Sequence, residues 1–132
     1  MTEKLLKYSP FLNLRFRSCS QAQSYITENG CSCSDDRFRI VYLALYLSAV
    51  HDALRRGIDL RGYLCWSLMD NYEWGSFKPR FGLVNVDFTT FERTLKPSAM
   101  FFREIIRQNG FTQDILRKYL HELPTLGLEK SL

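Results

Sequence analysis

Apolar and polar positions change period several times along this chain, and each change marks a predicted element. Tyr25-Ile26-Thr27 is a short β-favouring run that ends on Glu28 and an Asn29-Gly30 turn, which predicts a strand over residues 24–28. Asp35 and Asp36 then offer N-capping side chains to a long helix. In it Val41, Leu45, Ser48 and Asp52 follow one line, while Leu43, Leu47, Val50 and Leu54 widen the apolar face. Gly57 is placed as its C-terminal stop. Gly62 to Ser67 is almost wholly apolar or aromatic, the pattern of a parallel strand covered on both faces. A polar loop with Asp70, Asn71, Glu73, Gly75 and Pro79 follows, then an extended stretch over Phe81–Phe88. Lys96-Pro97-Ser98 opens a second helix that runs to about Gln108 and ends at Asn109-Gly110. A short helix over Gln113–His121 leads to a tail broken by Pro124 and Gly127.

The order strand–helix–strand–helix is a βαβα unit of the α/β class, with a parallel sheet and right-handed crossovers. Both polar clusters fall at the carboxyl ends of strands, the catalytic face of an α/β barrel. A closed barrel takes about 250 residues and eight such units. The expected fold is therefore the C-terminal βαβα portion of a (β/α)8 TIM barrel, incomplete on its own. Residues 1–23 lack sustained periodicity and read as an irregular or non-homologous segment, residues 24–122 as the barrel portion, and 123–132 as a tail. Exposed sheet edges on both sides predict a poorly stable isolated chain.

Composition narrows the partners. The 132 residues carry a formal charge of +4, but the basic side chains are interleaved with acids and form no stripe, so no nucleic-acid partner is expected. No apolar run approaches the ~20 residues of a membrane span, and no signal-peptide pattern opens the chain. Cys31-x-Cys33 lacks the second pair or the histidine of a structural zinc site, and Cys65 sits in an apolar strand. Together with Cys19 these read as reduced thiols of a cytoplasmic protein, with no metal and no other cofactor.

Two clusters remain as candidate chemistry. Glu28, at a strand end, is either a surface acid before a turn or a nucleophile presented to a cleft. Trp66-Ser67-Leu68-Met69-Asp70-Asn71-Tyr72-Glu73-Trp74 holds two indoles and an acid after the neighbouring strand. Alone, Trp66 reads as core and Trp74 as loop packing. Together with Glu73 they favour a sugar subsite, because aromatic faces stack on the C–H faces of pyranoses and carboxylates accept from neighbouring hydroxyls.

Ile26-Thr27-Glu28-Asn29-Gly30, the Trp66–Trp74 run, and Arg80-Phe81-Gly82-Leu83 with Val86-Asp87 occur in an order that resembles glycoside hydrolase family 1, the β-glucosidases and their relatives. The resemblance covers about Tyr25 to Ile106. It implies a (β/α)8 barrel, Glu28 as nucleophile, Trp66 flooring the sugar site, Glu73 and Trp74 binding hydroxyls, and Phe81 lining the same subsite. Asp70, Asn71 and Arg80 are implied as structural supports. A carboxylate at Glu73 would repel a 6-phosphate, so the implied substrate is an unphosphorylated β-glucoside or related β-glycoside. The family's acid/base glutamate belongs to a Thr-Phe-Asn-Glu-Pro-like segment that this sequence lacks. The chain alone is thus expected to be inactive, as part of a retaining β-glucosidase whose missing N-terminal barrel portion would be a partner. The alternatives are a carbohydrate-binding pseudoenzyme and a complementation fragment.

Overall fold

A computed structural model describes residues 22–120. The first strand, β1 (Ser24–Asn29), leads into a 20-residue helix, α1 (Asp36–Arg55), which returns the chain to β2 (Leu60–Cys65), parallel to β1. Then come β3 (Val84–Val86) and β4 (Arg93–Leu95), the helix α2 (Pro97–Gln108) and the short helix α3 (Gln113–Tyr119). The β1–β2 and β3–β4 pairs are separate two-stranded sheets, and among the described residues no barrel closes. The expectations for residues 1–21 and for the tail from His121 lie outside the described residues.

Local chemistry sets the helix ends as the sequence suggests. The Asp35 carboxylate accepts the Arg37 amide at 3.0 Å and caps α1, and Gly57 takes φ +84° just beyond its end. Pro97 is in the first turn of α2, and Asn109 closes that helix in the left-handed region at φ 51°. Four expectations change. β2 starts and stops two residues before Gly62–Ser67: Leu60 already pairs with Ser24, and beyond Trp66 the Ser67 amide leaves β1 to donate to the Phe81 carbonyl at 3.3 Å. The stretch Phe81–Phe88 narrows to β3, which pairs antiparallel with β4. Nothing in Arg93-Thr94-Leu95 signals a strand, for all three residues are exposed and carry no alternation. Nor is β2 covered on both faces: Leu64 is 57% exposed, as is Tyr25 on β1 at 58%, because helices pack on one side only of this pair.

The apolar line of α1 also shifts. Ile40, Leu43 and Ala44 are the buried positions, with Leu47 packed beside them, whereas Leu54 is exposed. They meet Leu83, Phe101, Ile105 and Leu120, so the core lies between α1 and the α2–α3 pair. The Phe101 ring meets Phe111 and Tyr119 edge-on, with centroids 5.7 and 5.6 Å away. Glu104 ties α3 to α2 by accepting from Lys118 at 2.5 Å and Tyr119 at 2.8 Å.

Arg39, on the buried side of α1, is only 2% exposed. Its guanidinium pairs with Asp36 and donates to the Arg80 carbonyl and, at 3.4 Å, to the Cys33 carbonyl. Lys96 gives α2 no side-chain cap. Asp36 caps it instead, accepting the Ser98 amide at 2.6 Å and the Ser98 hydroxyl at 2.8 Å. Asp36→Ala would leave Arg39 buried without its counter-charge and α2 without its cap. We expect a loss of about 3 kcal/mol in urea unfolding, against about 1 kcal/mol for Ser98→Ala.

Candidate active site

The carboxyl ends of β1 and β2 open onto a cleft of about 600 Å³ that Glu28, Trp66, Glu73, Trp74 and Phe81 line together. Residues from three separate stretches of the sequence thus reach one concavity. The approach of β1 to β2 at its floor is a backbone contact. A Cβ on Gly30 would lie 1.6 Å from the Trp66 carbonyl oxygen, so no other residue fits there without parting the strand ends. The Trp66–Ser67 peptide bond is cis.

From Trp66 the chain makes a long excursion that Asp70 folds back on itself. The Asp70 carboxylate is buried and accepts the Gly82 amide at 2.8 Å and the Lys96 ammonium at 2.9 Å, with the Arg80 guanidinium 3.6 Å away. A Cβ on Gly82 would come 2.1 Å from the Asp70 amide nitrogen, so these two segments are in backbone contact as well. At the tip, Glu73 and Ser76 exchange backbone hydrogen bonds of 2.8 and 3.0 Å around Trp74 and Gly75. Both central residues have positive φ, 47° and 94°, as a tight type I′ hairpin turn requires. The turn points the side chains of Glu73 and Trp74 apart. Glu73 goes inward and is 9% exposed, while Trp74 is fully exposed at the rim. Inside, the Trp66 indole N–H donates to Glu73 Oε1 at 2.8 Å, which ties the carboxylate to the indole. Glu28 is exposed at the end of β1.

Asn29, Gly30 and Tyr72, which belong to the motifs but have no implied role in the sugar site, also line the cleft, and Tyr42 from α1 joins them from outside the motifs. Tyr42 stacks on Tyr46 with centroids 4.3 Å apart, and that i, i+4 aromatic pair was the available signal in the sequence. Tyr72 packs edge-on against Phe77 at 4.9 Å, Phe77 meets Phe88 at 4.5 Å, and the Arg80 guanidinium lies 5.1 Å over Phe88. This row of rings backs the Glu73 turn.

Burial sets the ionisation of the groups behind the cleft. It pushes the Cys31 thiol up to about 12, with the neighbouring Cys33 adding to the effect, and the Cys65 thiol up to about 11. The Tyr42 and Tyr63 phenols are likewise held above their ordinary range, mainly by burial. These groups stay protonated at neutral pH, and the Tyr63 hydroxyl donates to Asn29 Oδ1 at 2.7 Å. Among the described residues no group of three or more His, Cys, Asp or Glu is placed to hold a metal ion, and no helix is long and apolar enough to cross a membrane.

The sequence matches glycosyl hydrolase family 1 over residues 9–111, a span that begins upstream of Tyr25. A β-galactosidase of Sulfolobus acidocaldarius is 45% identical over 103 residues, which cover 77% of this chain and 21% of that protein. β-Glucosidase A of Acetivibrio thermocellus is 39% identical over 110 residues, 76% of this chain and 25% of its own. A solved β-glycosidase from Pyrococcus horikoshii aligns with a TM-score of 0.70 and 47% identity over 79% of this chain and 24% of that one. A β-glucosidase from Thermotoga maritima, solved with deoxynojirimycin, aligns with a TM-score of 0.67 and 36% identity over 68% of this chain and 23% of that one. These structural neighbours have the TIM-barrel fold. The chain spans about a fifth of the length of the first two curated relatives it matches.

The raised thiols and phenols make the fold sensitive to alkali. In the unfolded chain Cys31 and Cys65 give up their protons near 9.0, whereas in the folded chain they keep them to about 12 and 11. The stability linked to them is complete below the lower values and is lost as pH rises through the upper ones. We expect the urea midpoint to fall steadily from about pH 9 upward, and Cys31→Ala with Cys65→Ala to flatten that fall.

Proposed function

Because this chain belongs to glycosyl hydrolase family 1, we propose that it supplies the nucleophile side of a retaining β-glycosidase site. The observation that supports this reading best is the meeting of Glu28, Trp66, Glu73, Trp74 and Phe81 in one cleft. In the proposed reaction a Glu28 carboxylate oxygen attacks the anomeric carbon. A C–O bond forms to the protein and the glycosidic C–O bond breaks, with the leaving oxygen taking a proton from an acid. Water then hydrolyses the glycosyl ester with inversion a second time, so the β configuration is retained. Trp66 offers its face to the pyranose. Glu73, anchored by the Trp66 indole, keeps a carboxylate for the outer hydroxyls, and Trp74 and Phe81 close the rim.

The substrate this arrangement suits is an unphosphorylated β-glucoside or β-galactoside. Glu73 is buried in the cleft, where a 6-phosphate would meet a negative charge with little water to screen it. The relatives' names span β-glucosidase and β-galactosidase, which agrees with that breadth.

The proton donor comes from elsewhere in the reading we propose. Two carboxyls about 5–5.5 Å apart are needed, and the sequence has no Thr-Phe-Asn-Glu-Pro-like segment. Asp87 cannot serve. Its carboxylate accepts the Thr89 and Thr90 amides at 2.7 and 3.1 Å, which holds it ionised below the usual carboxylate range. We infer that residues 24–120 are the C-terminal βαβα portion of a (β/α)8 barrel. The exposed Tyr25 and Leu64 and the open edges of the β1–β2 pair are surfaces that its other strands and helices would cover.

A chromogenic β-glucoside separates the possibilities. The chain alone should give no turnover, and mixing it with an N-terminal family 1 barrel portion should restore activity. In that mixture Glu28→Gln should abolish the covalent glycosyl adduct and lower kcat on the order of 10⁶-fold. Turnover by the chain alone would overturn the missing-acid reading. Sugar binding without turnover in the mixture would favour a carbohydrate-binding protein. Undiminished retaining turnover by Glu28→Gln would remove Glu28 from the nucleophile's role.

A further inference from the structure

The pairing of β1 with β2 is irregular where it matters most. Ser24 faces Leu60, Tyr25 faces Gly62, Ile26 faces Tyr63 and Asn29 faces Cys65. One step on β1 (24 to 25) therefore spans two on β2 (60 to 62), and three steps on β1 (26 to 29) span two on β2 (63 to 65). The two irregularities compensate, so the register at both ends of the pair is the same. In the second, Thr27 and Glu28 have no Cα partner across the ladder. Glu28 thus sits in a bulge, the device by which sheets re-aim a side chain beside an active site.

A bulge leaves its residues free of the ladder, so something else must fix its far end. The Trp66 amide donates to the Asn29 carbonyl at 2.8 Å and restores the pairing. The Asn29 side chain is held separately: its Oδ1 accepts the Tyr63 hydroxyl at 2.7 Å. Tyr63 is also the residue opposite Ile26, where the bulge begins. One residue therefore grips both ends, by its backbone pairing at the start and by its hydroxyl at the finish. Side-chain parity makes the bond diagnostic. Without the extra residue, Asn29 would point to the sheet face opposite Tyr63 and out of its reach.

We propose that Tyr63 is a positioning residue for Glu28: through the Asn29 side chain it locks the bulge and with it the direction in which Glu28 leaves the strand. The role rests on Glu28 as nucleophile, but the clamp itself does not. Its setting suits the task. The Tyr63 ring packs 6.3 Å from Phe102 of α2, and burial keeps its phenol protonated and donating. Tyr42 stands beside the same asparagine at the cleft wall.

Tyr63→Phe removes the hydroxyl and keeps the ring. In the full chain we expect its backbone amide shifts and accelerated hydrogen exchange to concentrate at residues 27–30. The second measurement, made in the mixture with an N-terminal family 1 barrel portion, is trapping by a dinitrophenyl 2-deoxy-2-fluoro-β-glucoside, whose activated leaving group needs no acid, followed by mass spectrometry at Glu28. The first-order trapping rate should fall about tenfold in Tyr63→Phe while the half-saturating concentration stays within about twofold, the split expected of misorientation. Asn29→Ser should act likewise, and the double variant should add nothing further, as one shared interaction demands. Amide changes that spare residues 27–30, an unchanged trapping rate, or additive effects in the double variant would each overturn the clamp. Failure of the unaltered chain to be labelled at Glu28 in that mixture would overturn the nucleophile reading instead, while the amide measurement still decides whether Tyr63 locks the bulge.

Discussion

One carboxylate, Asp36, holds together the parts that carry the site. It lies in the first turn of α1, caps the first turn of α2 through Ser98, and neutralises the buried Arg39. Arg39 passes that restraint on to the carbonyls of Cys33 and Arg80, the first just after β1 and the second just before the returning strand β3. Helix, helix and both cleft-bearing loops therefore share one small polar knot. Such a knot adds less than its bonds suggest, because two charges were taken out of water to make it. Its value is in geometry. Remove either partner and the other is left charged in a place built for neutrality.

Asp70 plays a matching part nearer the cleft. The loop from Trp66 to Phe81 is long and has no helix or strand of its own, and loops of that kind rarely hold a fixed geometry unaided. Here the buried Asp70 carboxylate gathers Gly82, Lys96 and Arg80 beneath it. The Tyr72–Phe77–Phe88 rings back the same loop from outside. With its base and its flank both fixed, the Glu73 turn can direct a carboxylate inward and an indole outward across a single peptide.

Much of this was legible in the residues themselves. Asp35, Gly57, Pro97 and Asn109 act through their own backbone chemistry, and the helix ends they mark follow from the sequence. Of the cleft lining, Glu28 was legible from its strand end and Trp66, Glu73 and Trp74 from their clustering after the next strand, whereas Phe81 was named only through the resemblance to family 1. What could not be read depends on partners distant in sequence. Arg39 sits among helix residues like any surface arginine, and only the folded chain shows it buried against Arg80, 41 positions away. The bulge at Thr27–Glu28 is a relation between β1 and β2, which neither strand's sequence states by itself. Strand β4 is three exposed residues that pair because the Asp87 turn brings them back. The apolar line of α1 was legible in part: Leu43 is in the core and Val41 and Leu47 pack against it, but Leu54 is exposed and Ile40 and Ala44 take its place. Several stripes of similar apolarity run along the helix, and the position of α2 chooses among them.

Trp66 and Trp74 are the only two indoles in the chain, and both belong to the cleft. One is tied by its N–H to a buried carboxylate, and the other stands wholly in water. The tryptophan emission of this protein therefore carries no contribution from its core. It is a two-colour optical record of the floor and the rim of a single concavity, present in the native chain without any added label.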